Sequence, residues 1–461
     1  MSLFFTIFVC CFIMNILILN TYPDGGGAAV AARRLTGALR SLGSLPPAPS
    51  HRGGIKKVLP CGEDLGEAKV SPMGGDLEGA SFFLRKAWER FVIWTGNGFS
   101  KHNLWTVSIA NTGVDITKTK EFREADVIHL HWVNQGFLSL RSIEKILAWG
   151  KPVVWTMHDM WPLTGICHHA GRCENYTTGC GNCPLLRFHS KNDLSARVFR
   201  EKLRIWNVPN LHFTAVSTWL KEKAEASPLM HGKEIAVIPN MVSLEEFPLL
   251  DKTECRLGLD LPQDAHIVAF GAAKLDDPIK GFQHLCKALG SFKGSRVQGF
   301  KSSRVQEFKS SSSSNVHLVI FGSIKGDREA FLKQIPVPCT YLGPIPQTRI
   351  AEVLNAADVV VSSSLYETFG QTLIEGMACG CVPVSFGNSG QRDIIRHKQN
   401  GYLAEYLNTY DLVEGIHWAL EAQQGKSVQG VQEVQEVKEK FSVEVVTKQY
   451  IELYETALGM D

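Results

Sequence analysis

Tyr366-Glu367-Thr368-Phe369-Gly370-Gln371-Thr372-Leu373-Ile374-Glu375-Gly376-Met377-Ala378 follows directly on the apolar, β-branched run Asp358-Val359-Val360-Val361-Ser362-Ser363-Ser364. Such a run reads as a buried parallel strand. A polar loop and a segment of helical spacing come next, so the whole is a strand–loop–helix turn. A turn of this kind aims backbone N–H groups and the positive helix end at an anion, commonly phosphate. Gly370 lets the backbone approach a ligand closely. Glu375 falls early in the helix, placed to accept hydrogen bonds from sugar hydroxyls, and Glu367 sits eight residues upstream in the loop. The two carboxylates are spaced to grip opposite ends of one ligand, with its phosphates over Gln371, Thr372 and Leu373. A carboxylate in a first helical turn also serves as a plain dipole partner. The glycine context after a buried strand favours ligand binding over that reading.

Further matches lie downstream, in Ala378-Cys379-Gly380-Cys381-Val382-Pro383-Val384, in Gly387-Asn388-Ser389-Gly390-Gln391-Arg392-Asp393-Ile394-Ile395 and in Asn400-Gly401-Tyr402. Taken together with Glu367-x7-Glu375 and the intervening Phe369-Gly370, these segments resemble the donor-site motifs of family 4 glycosyltransferases. Those are retaining enzymes with a GT-B fold, and the resemblance covers most of the chain from Met14 onward. It implies an α/β protein in which two Rossmann-like domains face each other across a cleft. It also implies a nucleotide-diphosphate sugar as donor substrate and a glycan or lipid-linked acceptor, in polysaccharide biosynthesis.

The chain has 461 residues, 44% apolar and 20% charged, which describes a globular protein of two or three domains with ample core. A net charge of +2 gives no reason to expect nucleic acid. Of twelve cysteines only one group clusters, and a mostly reduced, cytoplasmic protein is the default. Ser2 to Leu19 is almost wholly apolar, but no Lys or Arg precedes it and no small-residue cleavage site follows. A membrane helix there would consume a strand that the first domain needs. We therefore read Met14-Asn15-Ile16-Leu17-Ile18-Leu19-Asn20 as the first buried strand and residues 1–13 as an upstream extension.

The expected layout is an N-terminal acceptor domain over 14–245, a nucleotide-sugar domain over 246–440, and a C-terminal helix over 441–461 crossing back to the first domain. After the first strand, Pro23-Asp24-Gly25-Gly26-Gly27-Ala28-Ala29 is a glycine-rich turn into a helix, though not a dinucleotide fingerprint. The resemblance places Gly26 and Gly27 near the donor phosphates and the acceptor; a plain tight turn is the alternative. Residues 41–79 are rich in Gly, Pro and Ser and read as loop. Phe82 to Trp94 is aromatic and basic together. It reads as a half-buried core helix, or as a helix in peripheral contact with the inner face of a membrane or a lipid-linked acceptor.

Ala125 to Trp132 and Lys151 to Trp161 read as strands with polar and aromatic ends. Ligand groups gather at the carboxyl ends of strands in open α/β sheets, so His158 is a candidate to face the site, supported by a family histidine at this strand end. His131 is a weaker candidate. Between Cys167 and Cys183 lie four cysteines and two histidines. Cys180-x2-Cys183 has knuckle spacing and Cys167-x5-Cys173 does not. The segment resembles a Cys-rich insertion in one branch of these transferases. A structural zinc on Cys167, Cys173, Cys180 and Cys183, disulfides, and unbonded thiols all stay open, with no catalytic role.

His212 to Ser217 and Ile235 to Asn240 read as the last strands of the first domain, and Ala265 to Gly271 as the first of the second. Lys274 and Lys280 then flank Asp276-Asp277-Pro278, with Gly281 after. Two lysines on one loop beyond a strand suit a diphosphate, whose charge must be neutralised as it departs. The family carries Arg or Lys at the first position and Lys-Gly at the second. Phe292 to Glu307 nearly repeats on an eight-residue period before a serine tail, and residues 292–314 read as a low-complexity insertion. Val428 to Glu436 reads as a second such expansion, carrying no chemistry. Val316 to Gly322 is a strand, and Tyr341-Leu342-Gly343-Pro344-Ile345 a turn expected beside the nucleotide base.

The expected chemistry needs no cofactor. Lys274, Lys280 and the helix amides hold the diphosphate, Glu375 the ribose and Glu367 the transferred sugar. No dedicated nucleophile is evident. No Asp-x-Asp donor motif lies in a suitable place, so lysines and amides stand in for a divalent ion. A nucleotide-sugar epimerase of the same fold and an inactive sugar-nucleotide-binding protein are the alternatives.

Overall fold

The structure is a computed structural model that describes residues 14–22, 26–44, 57–59, 75–293, 315–424 and 431–460. The extension over 1–13 and residues 294–314 of the expected insertion lie outside that set. The chain divides into two units, one running to Pro239 and resuming at Val446–Asp461, the other spanning Asn240–Val445.

In the first unit β1 is Asn15–Leu19, β2 Lys57–Leu59, β3 Val127–Leu130, β4 Val153–Met157, β5 Leu211–Ala215 and β6 Ile235–Val237. Their order is β2-β1-β3-β4-β5-β6, and every pairing is parallel. β3 and β4 are buried at every position, which is why they read as continuous apolar runs rather than alternating ones. Beneath β4, Trp155 meets Trp161, Trp206 and Phe213. Lys202 is fully buried there. Its ammonium donates to the carbonyls of Trp161 (2.6 Å) and Thr164 (2.9 Å) and lies 3.3 Å from the centre of the Trp161 ring.

Residues 41–79 are not wholly loop, because β2 lies within them and a helix starts at Gly75. Three residues are too few for a period to show, and the strand is identified by its pairing with β1. The helix Gly75–Gly96 also departs from the core-helix expectation. Its buried side chains include Glu89, Arg90 and Ile93, while Phe83, Leu84, Trp88 and Phe91 are exposed. The inversion has a local cause. One Glu89 oxygen accepts the amides of Ile109 (2.8 Å) and Ala110 (2.9 Å), and Arg90 donates to the carbonyls of Leu104 and Val107.

In the second unit β7 is His266–Lys274, β8 Val316–Ser323, β9 Cys339–Tyr341, β10 Val359–Ser362, β11 Val382–Phe386 and β12 Tyr402–Ala404. The order is β12-β11-β10-β7-β8-β9, again all parallel. Val268, Phe270, Leu318, Ile320, Val361 and Val384 form the centre of its apolar core. Asp358, at the foot of β10, accepts from Lys252 (2.6 Å), Arg256 (2.9 Å) and the Ile267 amide (2.8 Å), so the buried carboxylate is fully paired.

Part of the second low-complexity stretch is an ordered helix, Val431–Lys440, with Val437 buried. Buried Glu436 accepts from Arg396 (2.7 Å), Lys440 (3.1 Å) and the Asn400 side chain (2.5 Å). The repeat concealed an amphipathic face whose partners lie elsewhere in the sequence. The last helix, Val443–Ala457, buries two tyrosines in the first unit. Tyr454 bonds His129 at 2.7 Å and Tyr450 bonds Thr156 at 3.0 Å.

Candidate functional site

In the second sheet the chain moves outward from β7 in both directions, to β8 and β9 on one side and to β10, β11 and β12 on the other. Ligands of open α/β sheets bind beyond the carboxyl ends of the strands at such a switch point. The loops after β7 and β10 meet there, and they carry the lysines and the glutamates.

Lys280 closes the short turn Pro278–Lys280, and several contacts tie that turn to the other loop. The Leu365 amide donates to the Ile279 carbonyl at 2.8 Å. Ser363 Oγ donates to the carbonyls of Lys280 (3.2 Å) and Gly281 (3.1 Å). Gly281 has a φ of +64°, and a Cβ there would come within 1.9 Å of the Ser363 carbonyl oxygen. Only glycine allows this approach, which explains the Lys-Gly pair in physical terms.

Lys280 Nζ lies 3.1 and 3.0 Å from the two carboxylate oxygens of Glu367. The two side chains retain 30% and 20% of their exposure, so the pair is open to a ligand. The loop after β11 supports Glu367. Ser389 Oγ accepts from the Glu367 amide (3.1 Å) and donates to Gln391 (2.6 Å). The Gly390 amide donates to the Glu367 carbonyl (2.8 Å), and the Asn388 amide group to the Leu365 carbonyl (2.8 Å). Sequence reasoning quoted Gly387–Ile395 as motif but missed Ser363, Ser389 and Gln391 as props, since serine and glutamine carry no signal of their own without the contacts.

The helix Gln371–Ala378 begins at Gly370, whose φ is +119°. The Leu373 amide already donates to the Gly370 carbonyl at 2.9 Å. The Leu373 amide is thus engaged within its own turn, which leaves Gln371 and Thr372 of the three residues expected to donate to a phosphate. Glu375 is 5% exposed and accepts from Gln371 Nε2 at 3.3 Å. Lys274 ends β7, in register with Ser323.

In the first unit, Gly26 (φ +84°) precedes the helix Gly27–Ser44, and a Cβ on Gly26 or Gly27 would meet nothing within 4 Å. His158 follows β4, and its Nε2 lies 2.8 Å from His131 Nδ1 after β3, with the rings stacked. Burial pulls His158 down to about 4, against the raising effect of Asp159, and pulls His131 well below its usual value. Both are therefore neutral imidazoles near pH 7. Asp159 is held at about 2 despite its burial because His168 lies 2.6 Å away. His168 also bonds Ser108 at 2.9 Å. Ser108 is fully buried, so this Asp–His–Ser line braces the strand end and offers no nucleophile to a substrate.

Cys167, Cys173, Cys180 and Cys183 line one small cavity of about 20 Å³ together with Tyr176 and Ser195. All four are free thiols. Burial pushes Cys167 up to about 12 and Cys180 to about 11. Among the described residues no three Cys, His, Asp or Glu side chains converge as metal ligands. Of the three open readings of this segment, the structure has the unbonded thiols, and buried Cys167 and Cys183 pack as small apolar side chains. No helix among the described residues is long and apolar enough to cross a membrane.

Comparison with known proteins follows the same division of the chain. Residues 84–246 match the family model described as Glycosyltransferase Family 4, and residues 277–433 match Glycosyl transferases group 1. A D-inositol 3-phosphate glycosyltransferase of Streptosporangium roseum is 26% identical over 289 residues, which is 61% of this chain and 58% of that protein. The match thus spans well under two thirds of that relative. An uncharacterized glycosyltransferase of Methanocaldococcus jannaschii is 28% identical over 379 residues, 77% of this chain and 90% of that one. Two solved structures share the fold at 16% identity. They are sucrose-phosphate synthase from Thermosynechococcus elongatus (TM-score 0.60, 97% of this chain and 100% of that one) and Anabaena HepE in complex with UDP and glucose (0.55, 96% and 100%). Two parallel-sheet Rossmann-like units, each half matched by its own transferase model, place this chain in glycosyltransferase family 4, with the GT-B fold.

Proposed function

We propose that the protein is a retaining glycosyltransferase that moves a sugar from a nucleotide-diphosphate sugar to a glycan or lipid-linked acceptor, in polysaccharide assembly. The observation that carries this reading is the Lys280–Glu367 pair at the switch point, beside the amide end of Gln371–Ala378. A cation and two aimed N–H groups suit a diphosphate, and a carboxylate next to them suits sugar hydroxyls. Lys274 adds a second positive charge, and Glu375 is assigned to the ribose. The leaving diphosphate takes the acceptor's proton as the acceptor attacks from the same face, so no protein nucleophile is required. In the first unit, Gly26 and Gly27 are assigned to the acceptor and the donor phosphates, and neutral His158 to the donor or the acceptor.

The test is a donor screen by mass spectrometry, run beside Glu375→Ala. A glycoside product from one sugar nucleotide supports transfer, whereas a free epimerised sugar nucleotide replaces it with isomerisation. Glu375→Ala is expected to keep its melting temperature within a few degrees and lose about tenfold or more in kcat/KM, the scale of a lost charge-assisted hydrogen bond. Full activity in that variant removes Glu375 from the site.

The exposed Phe83, Leu84, Trp88 and Phe91, next to basic Arg85 and Lys86, support a peripheral seat on a membrane at its cytoplasmic face. Flotation with vesicles containing anionic lipid is expected to carry the protein up, and Trp88→Ser with Phe91→Ser to leave it behind. Equal flotation of both would end this reading.

A further inference from the structure

We infer that Glu367 makes the site select an intact sugar donor over the sugar-free nucleoside diphosphate; the inference rests on the donor-site reading above. In the ligand-free chain both Glu367 oxygens lie on Lys280 Nζ, at 3.1 and 3.0 Å. The charge assigned to the diphosphate is therefore already neutralised from within. A diphosphate must draw the ammonium away or meet a net-neutral pair.

Both backbones are pinned while this happens. The Lys280 carbonyl accepts from Ser363, and the Lys280 amide donates to the Asp277 carbonyl at 2.9 Å. The Glu367 amide and carbonyl are held by Ser389 and Gly390. Only side chains are left to move, so binding becomes an exchange of partners at fixed loops. Once Lys280 turns to phosphate, the carboxylate needs new donors. An intact donor brings sugar hydroxyls, whose O–H groups donate to it. A sugar-free nucleoside diphosphate brings none, and it leaves Glu367 unpaired beside a second anion. The same residue thus retains the substrate and speeds release of the product.

The test is calorimetric titration of the full chain and its variants with UDP, GDP and ADP, and with the matching sugar nucleotides. E367Q is expected to bind its nucleoside diphosphate about two- to fivefold more tightly than the wild type, the range for a part-exposed ion pair. It is expected to bind the intact donor no more tightly than the wild type does. E367A carries the same expectation and replaces E367Q should that variant fail to fold, as read from its melting curve. Equal or weaker nucleoside diphosphate binding in the folded variant overturns the inference, because the pair is then a fixed scaffold for Lys280. K280M reads the underlying site separately, and is expected to weaken both ligands. If K280M binds like the wild type, or the wild type binds none of the three nucleotides, the donor-site reading falls and the inference falls with it.

Discussion

Lys280→Met lowers the turnover of the sugar donor by about 10²–10³-fold, the scale seen when one preorganised electrostatic contact to a developing anion is removed. Methionine keeps the length of the apolar stem and removes only the ammonium. As the glycosidic bond breaks, negative charge grows on the diphosphate, and Lys280 sits on a turn that cannot drift. That turn is tied to the β10 loop through Ser363 and Leu365, and a side chain at Gly281 has no room. Stability should hardly change. The pair with Glu367 keeps 30% and 20% of its side-chain exposure, and part-exposed pairs contribute at most about 1 kcal/mol. Release of nucleoside diphosphate, followed beside a thermal melt, checks both halves. A folded variant with full turnover would show that the cation is not at the reacting centre.

Acid weakens the protein long before its carboxylates titrate. Burial lowers His129 from 6.5 to about 3, His158 to about 4 and His131 well below its usual value. Burial moves His212, His284, His317 and His417 the same way. In the unfolded chain these rings take up protons near pH 6.5, and in the folded chain they resist. The stabilising difference is therefore fully present above about pH 6.5 and is lost as pH falls, levelling near the folded values. His129 and His158 each contribute about 2 kcal/mol of loss between pH 7 and 5. Asp159, held at about 2, stays ionised throughout that window and does not mask the effect. Urea midpoints measured from pH 7.5 to 4.5 should fall steeply, with a shallower slope in His129→Gln. A flat profile would mean that the rings are reached by water.

His129 shows why this could not be foreseen from the sequence. It lies in an apolar strand run, but its two nitrogens are bonded to Tyr454, 325 positions away, and to Thr156. Local spacing shows that a histidine is in a strand and says nothing about what the last helix brings to it. The strands themselves were legible. Continuous β-branched runs are the signature of sheets buried on both faces; β1, β3, β4 and β10 fall within the runs quoted, and β7 and β8 begin in theirs and extend past them. The three-residue β2 and the helix Val431–Lys440 were not, since their apolar positions gain meaning only from partners distant in sequence.

The Cys segment makes the same point in the opposite direction. Knuckle spacing satisfies two ligands, but a metal needs three or four atoms converging on one centre. Convergence is a property of the folded loop, and among the described residues it is not met. The exposed aromatic face of Gly75–Gly96 likewise follows from where Glu89 and Arg90 find carbonyl and amide partners, rather than from helical period alone.

By itself the sequence determined that buried strands are present and that cations, glycines and carboxylates follow them, because periodicity and turn chemistry are local properties; the two-unit layout was implied by the resemblance of its motifs. Only the tertiary structure decided that Lys280 and Glu367 touch and that Ser389 and Gly390 hold the glutamate from both sides. Those are distances between loops far apart in the chain, and strand order sets them.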